Sequence, residues 1–126
     1  MATEVIPVKK LPTVLVVEDE KEFHRIFRTR LKGRVTLIVA SDLDEAYHLF
    51  IANPNFAAIV VDACVPGNRP NALWLVVELR RLGYQGPMVA ISSLMRYRID
   101  MLAAGCDHEC LKLELPEKVC QVLHLR

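Results

Sequence analysis

Three short apolar runs, rich in β-branched residues, constrain this chain more than any other feature: Thr13-Val-Leu-Val-Val17, Ala57-Ala-Ile-Val-Val61 and Met88-Val-Ala-Ile91. None alternates polar with apolar residues, as a half-wetted antiparallel sheet requires. Unalternating runs of this length read as strands of a parallel sheet, covered on both faces. Each run also stops abruptly at polar residues: the first at Glu18-Asp19-Glu20, the second at Asp62, the third at Ser92-Ser93.

Between the runs the pattern becomes helical. Phe23, Ile26, Phe27 and Leu31 recur at i, i+3, i+4 and i+8, with Gly33 placed to close the helix. Val35–Ala40 reads as another strand, and Ser41 or Asp42 is a candidate cap for a helix with Leu43, Ala46, Tyr47 and Phe50 on one face, ended by Asn53-Pro54. The Pro, Gly and Asn content between Asp62 and Ala72 marks a loop. The next helix is expected to turn Leu75, Val76, Leu79 and Leu82 inward and Arg80 and Arg81 outward, closing at Gly83. A fourth helix reaches Ala104-Gly105, a short strand around Glu109–Leu111 ends at Lys112, and Pro116 suits the first turn of a last helix, Glu117–His124. Five strands alternating with five helices predict an α/β fold: a (βα)5, doubly wound parallel sheet with right-handed crossovers, preceded by a leader over residues 1–12.

Size and charge narrow the function. A chain of 126 residues, 52% hydrophobic, can bury a core without staples. Sixteen Lys and Arg against 15 Asp and Glu leave a net charge of +1, so no overall field attracts nucleic acid or an anionic membrane, and partners must be recognised at a local site. A core of this size does not need Cys64, Cys106, Cys110 and Cys120 as disulfides, and the opening MATEVIPVKKLP has no secretory apolar segment. No apolar run is long enough to cross a bilayer, and a reducing cytoplasmic setting is expected.

In doubly wound sheets the site lies beyond the carboxyl ends of the strands. Those ends deliver Glu18, Asp19, Asp62, Ser92 and Lys112. Any one of them is as readily a helix cap or a solvated strand end; the combination is harder to dismiss. Three converging carboxylates repel one another unless water, a proton or a cation intervenes. Oxygen ligands suit a hard divalent ion such as Mg²⁺, which shares its shell with phosphate. Lys112 supplies a point cation, Ser92 a hydroxyl donor, and Asp62 a carboxylate poised to accept a phosphoryl group.

Val14-Leu-Val-Val-Glu-Asp-Glu20, Asp62-Ala-Cys-Val-Pro66, Ser92-Ser93 and Cys110-Leu-Lys112 together resemble the receiver domains of two-component response regulators, over about Thr13 to Val122. The resemblance implies a receiver domain over 13–126 with flavodoxin-like strand order 2-1-3-4-5. It implies that Asp62 takes a phosphoryl group from a histidine kinase or phosphotransfer protein, and that Mg²⁺ is held by Glu18, Asp19, Asp62 and the backbone carbonyl of Cys64. Ser92 and Lys112 then bind phosphoryl oxygens, and the surface from the fourth helix to the fifth signals to a downstream protein, with homodimerisation open. It is a signalling role, enzymatic only in self-catalysed phosphotransfer and dephosphorylation. With no further domain after Arg126 in this sequence, the expectation is a free-standing relay or switch, or the amino-terminal part of a longer protein.

Several positions depart from the family pattern. Glu18 replaces the more usual Asp, and the loop after Asp62 is longer, with Pro70-Asn71-Ala72 where a glycine is usual. Glu109 occupies the place of an aromatic residue that swings with the hydroxyl. Leu113 replaces a proline in a cis bond; a non-proline cis bond costs about 2.5–4 kcal/mol, so a trans bond and a shifted loop are expected. Cys64 and Leu94 offer no acid or amide to orient an attacking water, so slow self-dephosphorylation is expected. The competing reading is a pseudo-receiver, an adaptor that binds partners without phosphorylation.

Other signals are weaker. Cys106-Asp-His108-Glu-Cys110, with Cys120 and His124, matches no common zinc module and reads as packing. Arg96, Tyr97 and Arg98 read as a partner surface or a solvated helix face, Trp74 as packing or partial exposure, and Glu20 and Glu22 as solvated first-turn charges. Acids after the first strand would repel the pyrophosphate of a dinucleotide. A haloacid-dehalogenase-type phosphatase needs a second Asp where Cys64 stands.

Overall fold

The computed structural model describes residues 10–65 and 69–125. The chain runs β1 (Thr13–Val17), α1 (Lys21–Leu31), β2 (Thr36–Ala40), α2 (Leu43–Ala52), β3 (Ala58–Asp62) and α3 (Leu73–Arg81). It continues through β4 (Met88–Ile91), α4 (Met95–Ala104), β5 (His108–Cys110), a 3-10 turn over Lys112–Glu114, and α5 (Leu115–Val122). Most of the leader expected over residues 1–12, and Pro66 of the loop after Asp62, lie outside the described residues.

All strand pairs are parallel and the order is β2-β1-β3-β4-β5, as the doubly wound reading requires. Alternation appears only across the sheet, between two cores. Val14, Val16, Ala58, Val60, Val89 and Ile91 face Phe27 and Leu31 of α1 and Leu115 and Val119 of α5. Leu15, Val17, Ile59, Val61, Met88 and Ala90 face α2, α3 and α4 through Phe50, Leu75, Leu79 and Met101. Both sides of β1, β3 and β4 are therefore dry, which explains why those runs carry no polar phase.

Local chemistry sets the element ends. Asp42, not Ser41, caps α2, its Oδ1 accepting from the Glu45 amide at 2.7 Å. The last helix begins at Leu115 and stops at Val122, short of the expected His124. His124 adopts φ 56°, and the amides of His124 and Leu125 donate back to Gln121 and Cys120, a Schellman closure with histidine in the left-handed position. β5 lies one residue earlier than expected, because Leu111 leads directly into the 3-10 turn and its amide donates to Glu114 Oε1 at 3.0 Å.

Two expectations on α3 fail. Leu82 is 37% exposed because the helix has ended at Arg81. Arg80 does not point freely outward. Its guanidinium donates to the carbonyls of Gly105 at 2.9 Å and of Tyr84 and Gly86 at 2.8 Å each, and to Asp107 Oδ2 at 2.7 Å. Arg80 thus staples the exits of α3 and α4. Gly105 permits the approach, with φ +140° and an open Cα where a Cβ would meet Arg80 Cγ at 2.9 Å.

Candidate functional site

The sheet order reverses between β1 and β3, so the residues leaving these neighbouring strands meet at one crevice. Glu18 and Asp19 leave β1, and Asp62 closes β3. One carboxylate oxygen from each of the three falls within 4.8 Å of the others. Among the described residues this is the sole gathered set of three or more metal-ligating side chains, so the Cys106, His108 and Cys110 run forms no such group.

Burial makes the cluster costly. Glu18 is 0% and Asp62 2% exposed, while Asp19 is half-buried. Lys112 Nζ reaches in from the turn after β5, 2.8 Å from Glu18 Oε1 and 2.9 Å from Asp62 Oδ2. The Asp62 contact is ionic and lacks hydrogen-bond alignment, and Glu18 Oε2 has no hydrogen-bond partner among the described residues. The other Asp62 oxygen accepts from the Cys64 amide at 3.3 Å. Phe23 of α1 lies beneath the ammonium, its ring centre 4.9 Å from Nζ.

Proton affinities follow. Burial, then the neighbouring Asp62 carboxylate, push Glu18 up to about 9 against the opposing pull of Lys112. Burial alone lowers Lys112, but its hydrogen bond to Glu18 and its ion pair with Asp62 outweigh that and hold the ammonium above its usual range. Burial, and then Asp62, raise the Cys64 thiol. The site carries more negative charge than one lysine balances. An orphaned buried carboxylate oxygen within an all-oxygen donor set fits a hard divalent cation.

Beside the acids opens a cleft of about 240 Å³ lined by Glu20, Asp62, Cys64, Ser92, Leu94 and Lys112, among others. Ser92 is buried at the end of β4, and its Oγ accepts from the Leu94 amide at 3.2 Å. Asp62, Ser92 and Lys112 thus share one cleft, with Glu18 and Asp19 grouped around Asp62.

Four contributors escape a reading of the sequence alone. Glu20, expected to be merely solvated, lies 3.2 Å from Lys112 Nζ and lines the cleft. The His24 ring bonds the Glu18 carbonyl. Asn71 clamps the loop after Asp62, its side chain donating to the Val65 carbonyl at 2.7 Å and accepting from the Val65 amide at 2.8 Å. Arg98, expected on a partner surface or a solvated helix face, is 6% exposed and bonded to Glu109. Only Asn71 had a local signal, as a turn-forming residue just ahead of a helix.

No protein-family model matches the sequence, and no curated protein sequence matches it. Solved structures do. The receiver domain of the Francisella response regulator 1452 superposes with TM-score 0.73 and 25% identity over 90% of this chain and 97% of that one. A putative response regulator from Chloroflexus aurantiacus gives 0.77 and 21%, over 91% and 99%. A two-component response regulator from Clostridium difficile gives 0.75 and 18%, over 90% and 96%. The fold is that of response regulator receiver domains. The receiver fold accounts for the strand order and for a crevice at the β1 and β3 ends. No helix among the described residues is long and apolar enough to cross a membrane.

Proposed function

We propose that the chain is a phosphoacceptor signalling domain in which Asp62 takes a phosphoryl group from the phosphohistidine of a kinase or phosphotransfer protein. One observation carries this most: a nearly buried carboxylate lines a small open cleft together with a hydroxyl and an ammonium, beside two further acids within ligand distance. In the transfer, an Asp62 oxygen forms a P–O bond as the donor P–N bond breaks. The electron pair leaves on the imidazole nitrogen, which takes a proton from solvent. Lys112, released from part of its contact with Asp62, pairs with a phosphoryl oxygen, and the Ser92 hydroxyl, freed from Leu94, donates to another. Glu18, Asp19, Asp62 and the Cys64 carbonyl are the groups that would hold Mg²⁺, which when bound supplies the positive charge that lets acids and phosphoryl oxygens share the crevice. Phosphorylation then alters contacts with a downstream protein or a second copy across the α4–α5 face, in the cytoplasm.

The second reading, a pseudo-receiver adaptor, is favoured by Glu109, which stands in an ion pair where an aromatic switch residue is usual. Intact-mass measurement after incubation with Mg²⁺ and a small phosphodonor separates the two. The phosphoacceptor reading expects one phosphoryl adduct on the wild type and none on Asp62→Asn. An unmodified wild type supports the adaptor.

A further inference from the structure

Trp74, the sole tryptophan of the chain, stands 45% exposed on the first turn of α3. Among the described residues neither a cation nor another aromatic ring stacks on it, although Arg80 and Arg96 each lie over a tyrosine elsewhere. Beside it Leu73, Val77 and Arg81 recur at i, i+4 and i+8, one stripe along the outer side of α3 with Val77 at its midpoint, 52% exposed. Tyr47 and His48 of α2 face this stripe across a groove of about 670 Å³. Apolar side chains gathered in the open like this mark a surface that another surface covers. The face is separate from the exposed Met95, Ile99 and Leu111, which lie on the α4 and β5 side.

The charges of this face complement the face itself. Acids stand at the entry of α2, Asp44 and Glu45, and Arg81 at the exit of α3. Glu78 takes the edge of the Arg81 guanidinium, accepting from Nε at 2.9 Å and from Nη2. That pairing fixes the guanidinium plane and leaves its flat sides open, which is how an arginine stacks on an indole. Within one chain Trp74 stands seven residues away, about 10 Å of helix rise. We propose that the α2–α3 face is a two-fold interface between two copies of this chain. A copy turned end for end about Val77 sets the two α3 helices antiparallel. Val77 meets Val77, and Arg81 of each copy lies against Leu73 and Trp74 of the other, closing two identical cation–π stacks. The same rotation carries the basic exit of each α3 toward the acidic entry of α2 in the other copy and opposes the helix dipoles, whereas a parallel pairing would set like ends together. The helices are only ten and nine residues long, so the interface lies at or below the standard size of about 800 Å² a side, and a dissociation constant of about 1–100 μM is expected. The proposal is independent of any phosphoryl transfer to Asp62.

Sedimentation velocity over about 1–500 μM tests it, with Trp74 emission recorded over the same range. The wild type is expected to pass from monomer to dimer mass as concentration rises, and the emission to move to shorter wavelength as the indole leaves water. Val77→Glu sets like charges on the two-fold axis and is expected to stay monomeric throughout. Trp74→Ala removes both stacks and is expected to weaken the dimer at least about tenfold. Both positions are exposed, and Trp74→Ala carries the test if Val77→Glu disturbs the helix. Ile99→Glu, on the exposed side of α4, is expected to dimerise as the wild type does. A wild type that remains monomeric at every concentration overturns the proposal, as does a Trp74 emission that stays constant while the mass doubles. A dimer that survives Val77→Glu and Trp74→Ala but is lost in Ile99→Glu also overturns it and places the contact on the α4 side.

Discussion

Replacing Lys112 with Met keeps an apolar stem over Phe23 and removes the cation that touches Glu18, Asp62 and Glu20. Two of those partners have side chains only 0% and 3% exposed, and deleting one side of such a buried pair costs about 3–5 kcal/mol. The third contact, to a Glu20 side chain 55% exposed, adds no more than about 0.5 kcal/mol. Glu18 already holds its proton tightly and so relieves part of the lost balance, which puts the expected loss near the lower bound, about 3 kcal/mol, or on the order of 10 °C in Tm. Urea unfolding in chelator measures it. With Mg²⁺ held in the crevice as proposed, a hundredfold excess over its dissociation constant is expected to stabilise the wild type by about 2.7 kcal/mol. Both proteins are expected to gain, the variant by more, because its carboxylates have no other counter-charge. Adding Asp62→Asn to the variant is expected to recover about 2 kcal/mol, a strongly non-additive cycle. A loss under about 1 kcal/mol, with additive Asp62→Asn and no greater response to Mg²⁺, would refute the charge balance argued for this crevice.

Three further outcomes follow from particular contacts. Arg80→Ala abandons three carbonyls and Asp107, and is expected to cost about 2–4 kcal/mol and to speed amide exchange at Gly105 and Cys106 well before the β3 amides; uniform protection loss would contradict the staple. Cys106, with burial pushing its thiol up to about 12, should resist alkylation at pH 8 in the native state, whereas partly exposed Cys64 reacts first; the reverse order by peptide mass mapping would contradict the packing. Phosphorylated Asp62 should persist for minutes or longer at neutral pH, because neither Cys64 nor Leu94 in the cleft can orient water; a half-life of seconds without a phosphatase would count against this.

Sheet and acidic site were both legible because their signals are local. A strand dry on two faces has no polar phase, and the three acids terminate two such strands, so the run of apolar residues and its stopping point are adjacent in sequence. Arg98 was not legible for the opposite reason. On α4 it has the periodicity of a surface arginine, and its burial depends on Glu109 arriving from β5 and on the Ser92 carbonyl turning toward it. Arg80 is the same case, since its four acceptors come from two later connections, α3–β4 and α4–β5. Both arginines find their partners outside the helix that carries them, where helical periodicity gives no sign of them. Helix ends fall between these extremes: Asp42 and Gly33 are read from their own chemistry, but the stop of α5 at Val122 depends on His124, a left-handed residue that is not glycine.

The most direct test of the central claim locates the phosphoryl group itself. After incubation with Mg²⁺ and a small phosphodonor, borohydride reduces an aspartyl phosphate to homoserine, which peptide mass spectrometry assigns to a position. Homoserine at residue 62, absent without the phosphodonor, is the expected result. Homoserine elsewhere, or none anywhere, would contradict the assignment of Asp62 as the phosphoryl acceptor.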